Sequence, residues 1–85
     1  MDKNIKKELT IKGVLLRPIK KGERAKILDR IGCTDTSPVV EITKEGYYSV
    51  CFETENSVYT LLIDHDMLKN DRQRISEYKK LLEVS

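Results

Sequence analysis

The sequence predicts a small α+β domain, mainly β: a partly open antiparallel barrel of about five strands with one C-terminal helix. Three observations point there. Residues 38–63 read as three strands joined by two turns whose lengths put eight apolar side chains on one face. A glycine-bounded segment of alternating polarity precedes them. A stripe of apolar residues at helical spacing closes the chain.

Taken from the N-terminus, residues 1–8 are polar and are expected to form a flexible arm, followed by sheet or barrel over 9–63. Leu9-Thr10-Ile11-Lys12 alternates as a strand does, and Val14-Leu15-Leu16 continues it after a bulge at Gly13. Arg17-Pro18 ends the run, because proline has no N–H and restricts its predecessor. Lys20-Lys21-Gly22 reads as a turn. Residues 23–31 contain helix formers, but Ala25, Ile27 and Ile31 keep strand parity between Gly22 and Gly32, so a strand is expected. Cys33-Thr34-Asp35-Thr36-Ser37-Pro38 has the composition of a loop.

The next three strands are 38–43, 47–53 and 58–63, all rich in β-branched and aromatic residues. Lys44-Glu45-Gly46 fits a three-residue hairpin loop with Gly46 at φ > 0. That loop pairs Thr43 with Tyr47, Ile42 with Tyr48 and Val40 with Val50. Thr54-Glu55-Asn56-Ser57 closes the second hairpin and pairs Glu53 with Val58, Phe52 with Tyr59 and Val50 with Leu61. Alternation then gathers Val40, Ile42, Tyr48, Val50, Phe52, Tyr59, Leu61 and Ile63 on one face. Asn70 or Asp71 caps a helix over 70–83, with Ile75, Tyr78 and Leu82 on one side. So short a helix needs a surface to dock on, and the face bearing Tyr47, Cys51, Val58 and Leu62 is its expected target.

Eighty-five residues allow one domain with a modest core. Charged residues make up 35% and hydrophobic ones 39%, the balance of a folded water-soluble chain, and no apolar run is long enough to span a bilayer. The start lacks the apolar centre of a secretory signal, so the cytoplasm is the expected location. Cys33 and Cys51 form no CxxC pair and are expected to be reduced thiols. Charge is segregated along the chain. Residues 1–30 carry ten Lys/Arg against four Asp/Glu, residues 31–63 one against five, and residues 64–85 five against five.

The order Gly22 to Leu28, then Pro38 to Thr43, then the two hairpin strands, resembles a small SH3-like barrel over roughly residues 20–63. Thr36-Ser37-Pro38-Val39-Val40 and Glu53-Thr54-Glu55-Asn56-Ser57-Val58-Tyr59 resemble a pattern in small uncharacterised proteins of Gram-positive phages and plasmids. The second resemblance implies an accessory or regulatory role in a mobile genetic element and supplies no site residue.

No catalytic or cofactor signature stands out. Asp64-His65-Asp66 has metal-ligating residue types, but three neighbours on one loop rarely converge on an ion, so a polar strand-to-helix junction is expected, with Asp64 or Asp66 as a cap. Ser37, Ser57, Cys33 and Cys51 lack a companion base beyond the single histidine. Glu53 and Glu55, at i and i+2, read as exposed hairpin acids. The expected function is binding, with neither catalysis nor a cofactor. Lys12, Arg17, Lys20, Lys21, Arg24, Lys26 and Arg30 fall within 19 positions and form the candidate contact to DNA or RNA phosphates, with Tyr47 to stack on a base. The alternative is a protein–protein module or inhibitor that acts through Glu41, Glu45, Glu53 and Glu55. A third reading is a structural homo-oligomer, a dimer built on the apolar helix stripe with Met67 and Leu68. No membrane partner is expected.

Overall fold

The computed structural model describes residues 6–84, and the backbone forms six strands followed by two helices. The strands are β1 (Lys7–Leu15), β2 (Arg24–Leu28), β3 (Cys33–Pro38), β4 (Glu41–Glu45), β5 (Ser49–Glu53) and β6 (Ser57–Ile63). The helices are α1 (His65–Asn70) and α2 (Arg72–Val84). Most of the expected N-terminal arm, residues 1–5, lies outside the described residues, while Lys7 and Glu8 belong to β1 rather than to an arm.

All six strands form one sheet in the order β3-β2-β1-β6-β5-β4. Four of the five neighbour pairs are antiparallel, but β1 and β6 are parallel, from Lys7 opposite Ser57 to Gly13 opposite Ile63. The sheet is therefore mixed and does not close into a barrel, which corrects the expected antiparallel arrangement of about five strands. Local hairpin signals are blind to a ladder between segments fifty residues apart.

The sixth strand comes from a break in the expected strand 38–43. The Val39 N–H donates to the Glu23 carbonyl at 2.9 Å, while the next N–H, of Val40, donates to the Glu53 carbonyl at 2.8 Å. Two consecutive residues thus bond to opposite flanks of the sheet. Val39 is buried at 1% exposure and Val40 is 47% exposed, so the chain kinks here and its inward parity resets before Ile42. The segment expected to be a loop, Cys33–Pro38, is β3 and pairs antiparallel with β2. Its polar composition suits an edge strand with most side chains in solvent.

The β5–β6 hairpin has the register read from the sequence, with Glu53 opposite Val58, Phe52 opposite Tyr59 and Val50 opposite Leu61. The β4–β5 hairpin does not. β4 runs on to Glu45, Ile42 lies opposite Phe52, Glu45 lies opposite Val50, and a bulge intervenes between Ile42 and Lys44. The Gly46 N–H donates to the Ser49 carbonyl at 2.8 Å, which leaves Tyr47 and Tyr48 at the hairpin tip instead of in a strand. Only Gly22, at φ 89°, has positive φ among the described glycines, so Gly46 is not the left-handed residue of a three-residue loop. The partner of Ile42 moves by four positions, an even number, and Ile42 keeps its inward face. Of the eight expected core residues, Val50, Phe52 and Leu61 are buried and Ile42, Tyr59 and Ile63 pack against them, but Val40 and Tyr48 point to solvent.

The curled sheet encloses Ala25, Ile27, Val39, Val50, Phe52 and Leu61, with the Phe52 and Tyr59 rings stacked at 4.9 Å. A second cluster on the outer side joins Val14, Leu16 and Leu28 to Met67 and Ile75, flanked by Tyr78 and Leu82. The helices therefore bury their apolar sides on the β1–β2 end and not on the face bearing Cys51, Val58 and Leu62; of the expected target only Tyr47 meets a helix, through His65 of α1. Only Asp64 separates β6 from α1, so α1 must start at that end, and Leu62 is left 42% exposed. The single expected helix over 70–83 is a pair. Asp64 caps the first member by accepting the Met67 N–H at 3.1 Å. Gly13 is the pivot of the architecture. Here β1 leaves β6 and takes β2 as its neighbour, Val14 opposite Leu28.

Candidate functional site

Two surfaces carry chemistry. The first is the β1–β2 connection. Gly22, in the left-handed conformation, tightens the turn, whose Glu23 N–H donates to the Lys20 carbonyl at 3.2 Å. Arg17 Nη2 donates to the Arg24 carbonyl at 2.9 Å, and Arg24 Nη1 donates to the Thr36 carbonyl at 3.1 Å. These carbonyl bonds fix two guanidinium groups without cancelling their charge. Arg17 Nε is buried and has no hydrogen-bond partner. Lys20 is exposed and has no ion partner among the described residues. Lys21 meets Glu41 at 3.7 Å with both side chains more than half exposed, a contact that costs little to break. Arg17, Lys20, Lys21 and Arg24 thus form one cationic corner.

The other candidate cations are used elsewhere. Lys26 shares the outward side of β2 with Arg24 but pairs with Asp35 at 2.6 Å. Arg30 Nε pairs with Asp64 at 3.2 Å. Lys12 sits on β1 opposite Leu62, where its charge helps hold the Asp64 carboxyl down. Tyr47 is at the β4–β5 tip, against α1 and away from the corner.

The acidic residues do not form one surface either. Glu41 and Glu53 are cross-strand neighbours, yet each has its own cation: Glu41 has Lys21, and Glu53 has Lys6 at 3.0 Å. Glu45 and Glu55 are exposed and have no ion pair among the described residues, but Glu45 ends β4 while Glu55 sits in the β5–β6 turn.

The second surface is one that sequence reasoning largely missed. The Tyr47 ring stacks on His65 with centroids 4.3 Å apart and planes 22° apart, and Tyr48 meets Tyr47 edge-on at 4.9 Å. His65 Nε2 lies 3.0 Å from the Tyr47 carbonyl oxygen. A carbonyl only accepts, so Nε2 carries the proton. Tyr47 and Tyr48 remain 72% and 74% exposed. Beside them runs a groove of about 570 Å³ lined by Tyr47, His65, Leu68, Lys69 and Arg72. His65, Leu68 and Lys69 stand at i, i+3 and i+4 on one side of α1, which starts at the Asp64 cap, and Arg72 opens α2 beside them. That spacing, read from a helix begun at Asp64 and not at Asn70, was the available signal.

The remaining reactive groups are occupied or quiet. The Asp64 carboxyl is held below the usual aspartate range, first by the hydrogen bond from Arg30 and then, against the opposing effect of burial, by the Met67 N–H. The Arg30 guanidinium is correspondingly raised, first by its bond to Asp64. Cys33 and Cys51 are free thiols. Desolvation, and then Asp35, pushes the Cys33 thiol up, which disfavours the nucleophilic thiolate. Among the described residues no three His, Cys, Asp or Glu side chains group as a metal site, and no helix is long and apolar enough to cross a membrane. Comparisons with protein-family models, curated proteins and solved structures return no match to this chain.

Proposed function

We propose that the protein is a small, non-enzymatic accessory or regulatory binding protein that contacts DNA or RNA through its cationic corner. The observation that carries this reading is the linked pair of arginines. Arg17 is tied to the Arg24 backbone and Arg24 to that of Thr36, so two permanent charges are ordered before any ligand arrives. Lys20 and Lys21 extend the same corner into solvent. Four cations neutralising four phosphates give an affinity that falls with salt and depends little on sequence. The proposal places the protein in the cytoplasm. It also takes the kink at Val39-Val40, which joins the two flanks of the sheet, as the counterpart of the bent strand of an SH3-like domain, in a sheet that here stays open.

The test is fluorescence anisotropy with a mixed-sequence duplex oligonucleotide. Raising salt from 50 to 200 mM weakens binding roughly a hundredfold for four phosphate contacts. Changing Arg17, Lys20, Lys21 and Arg24 to Ala abolishes it. Absence of binding at 50 mM salt, or binding unaffected by the four changes, refutes the reading. A docking or inhibitory role for Glu41, Glu45, Glu53 and Glu55 draws less support, since Glu41 and Glu53 are each paired within the chain. A dimer built on the helix stripe does too, since Ile75, Tyr78 and Leu82 pack on the protein's own sheet.

A further inference from the structure

We infer that the Tyr47–Tyr48 hairpin tip, the exposed side of α1 and the first residue of α2 form a second binding site, a stacking ledge for single-stranded nucleic acid. Only the chemical class of the ligand rests on the reading above; the surface and its residues are different.

Two neighbouring tyrosines are left about three-quarters exposed, although their apolar area would add to the core if the hairpin register turned them inward. Instead the register places them at a tip, and His65 holds them there from two directions. Its ring stacks on Tyr47 at 4.3 Å, and its Nε2–H donates to the Tyr47 carbonyl at 3.0 Å. The Tyr48 ring lies 76° from the His65 plane at 5.7 Å, which completes a three-ring cluster. The rings are thus ordered in the free protein. A base stacking on them does not have to restrain a mobile side chain, which is where much of the cost of binding lies.

The charges beside the rings set the ligand. Lys69 and Arg72 line the groove next to Tyr47 and His65, and neither has an ion pair among the described residues. This contrasts with Lys26 and Arg30, which are committed to Asp35 and Asp64. Leu68 supplies the apolar floor and is itself 41% exposed. Planar rings for bases next to free cations for phosphates are the two components that sequence-tolerant single-strand binding requires. A duplex keeps its bases stacked on one another and can offer this ledge only its backbone. An acidic peptide would satisfy the cations and leave the rings unused.

The deciding experiment measures anisotropy of a labelled twelve-nucleotide single strand, the matching duplex and a polyglutamate peptide, each at 50 mM salt. The proteins are the wild type, Tyr47→Ala, Tyr47→Phe, Lys69→Ala with Arg72→Ala, and the four-alanine corner variant, each checked for an unchanged thermal transition. Tyr47→Ala weakens the single strand roughly five- to 150-fold, the loss of one base–aromatic stack, and leaves the duplex unchanged. Tyr47→Phe keeps the affinity. The Lys69/Arg72 double change lowers the single-strand salt slope by about 1.4. A single-strand affinity untouched by Tyr47→Ala overturns the ledge, as does polyglutamate binding equal to that of the oligonucleotide. If the corner variant alone loses binding, the ledge fails and the corner stands. If Tyr47→Ala alone loses the single strand, the ledge stands, and the corner fails only if the duplex is also unbound or unaffected by the corner changes.

Discussion

Gly13 is the position at which the smallest possible change is expected to do the most damage. Its backbone is not in the left-handed region, so alanine is conformationally allowed there. An added Cβ, however, would lie 2.5 Å from the Leu28 carbonyl oxygen, 3.2 Å from the carbon of that carbonyl and 3.3 Å from Asp29 Cα. All three are backbone atoms at the end of β2, the strand that β1 joins at this point, and of the residue that follows it, and none can rotate away. Relief requires moving β2 by most of an ångström against a separation near the optimum of roughly 3.5 Å. Forcing a methyl group into a packed interior costs about 1–3 kcal/mol. The entropy that alanine removes from the unfolded chain returns about 0.4–1 kcal/mol. Gly13→Ala should therefore destabilise by about 1–2 kcal/mol, which lowers the melting temperature of a chain this size by roughly 4–16 °C. Gly32→Ala is the matched control. Its φ is also not positive, and nothing lies within 4 Å of its added Cβ. Only the entropic gain remains, and it should stabilise by about 0.4–1 kcal/mol. Urea denaturation followed by circular dichroism reads both. Equal shifts of the same sign, or a Gly13→Ala protein as stable as the wild type, would refute the assignment of β1 as a strand that changes partners at Gly13.

Two further outcomes follow from buried polar groups. Thr36 is 2% exposed; its Oγ1 accepts the Ala25 N–H at 3.0 Å, where the β2–β3 register shifts, and donates to the Ser37 carbonyl at 2.7 Å. Thr36→Val leaves that N–H unpaired and should cost about 1–3 kcal/mol in urea denaturation, while Thr36→Ser keeps most of the stability; equal losses would count against the bond. The Asp64 carboxyl is held low by Arg30 and the Met67 N–H, so its contribution is complete above the unfolded aspartate value of about 3.9 and disappears as pH falls through the lower folded value. Asp64→Asn retains a capping acceptor but not the charge, so its stability should change less than that of the wild type below pH 4; parallel curves down to pH 2 would contradict this.

The legibility of the fold followed the range of the interactions. The β5–β6 hairpin could be read because its register follows from local alternation, and Val50, Phe52 and Leu61 admit one pairing that buries them all. The β4–β5 hairpin differs because aromatic residues favour strands, and local propensity alone assigns Tyr47 and Tyr48 to one. Their actual partner, His65, lies in a helix eighteen residues beyond Tyr47, and no local rule connects them. The kink at Val39-Val40 was hidden for a similar reason. Two adjacent valines satisfy any strand pattern, and only the sheet's curl decides that one faces in and the other out. The parallel β1–β6 ladder left no trace that a single sequence could show, because each strand alternates acceptably by itself. At the candidate site, Arg17, Lys20, Lys21 and Arg24 could be grouped in advance because they share one turn, whereas the ledge depends on two segments meeting.

The charge pattern shows why a basic third of a sequence need not become a basic face. Strand order, not chain order, decides which charges become neighbours. Here the sheet interleaves the two blocks: β2, from the positive segment, lies beside β3, from the negative one, and the chain just before β1 reaches the end of β5. The resulting ion pairs run between blocks. Lys6 meets Glu53, Lys21 meets Glu41 and Lys26 meets Asp35, so each cation of the N-terminal block that finds one of these acids takes it from the acidic meander. Segregation along the sequence is thereby turned into pairing across the sheet, and the surface field is weaker than the +6 of residues 1–30 implies. What stays cationic are the positions that topology leaves without an acidic neighbour. These are Arg17, Lys20 and Arg24 of the β1–β2 corner, where the two arginines find backbone carbonyls as acceptors, and the junction of α1 and α2 at Lys69 and Arg72. A protein whose positive charge survives at two such separated places is suited to holding a phosphate chain at two points, with the Tyr47 and Tyr48 rings beside one of them.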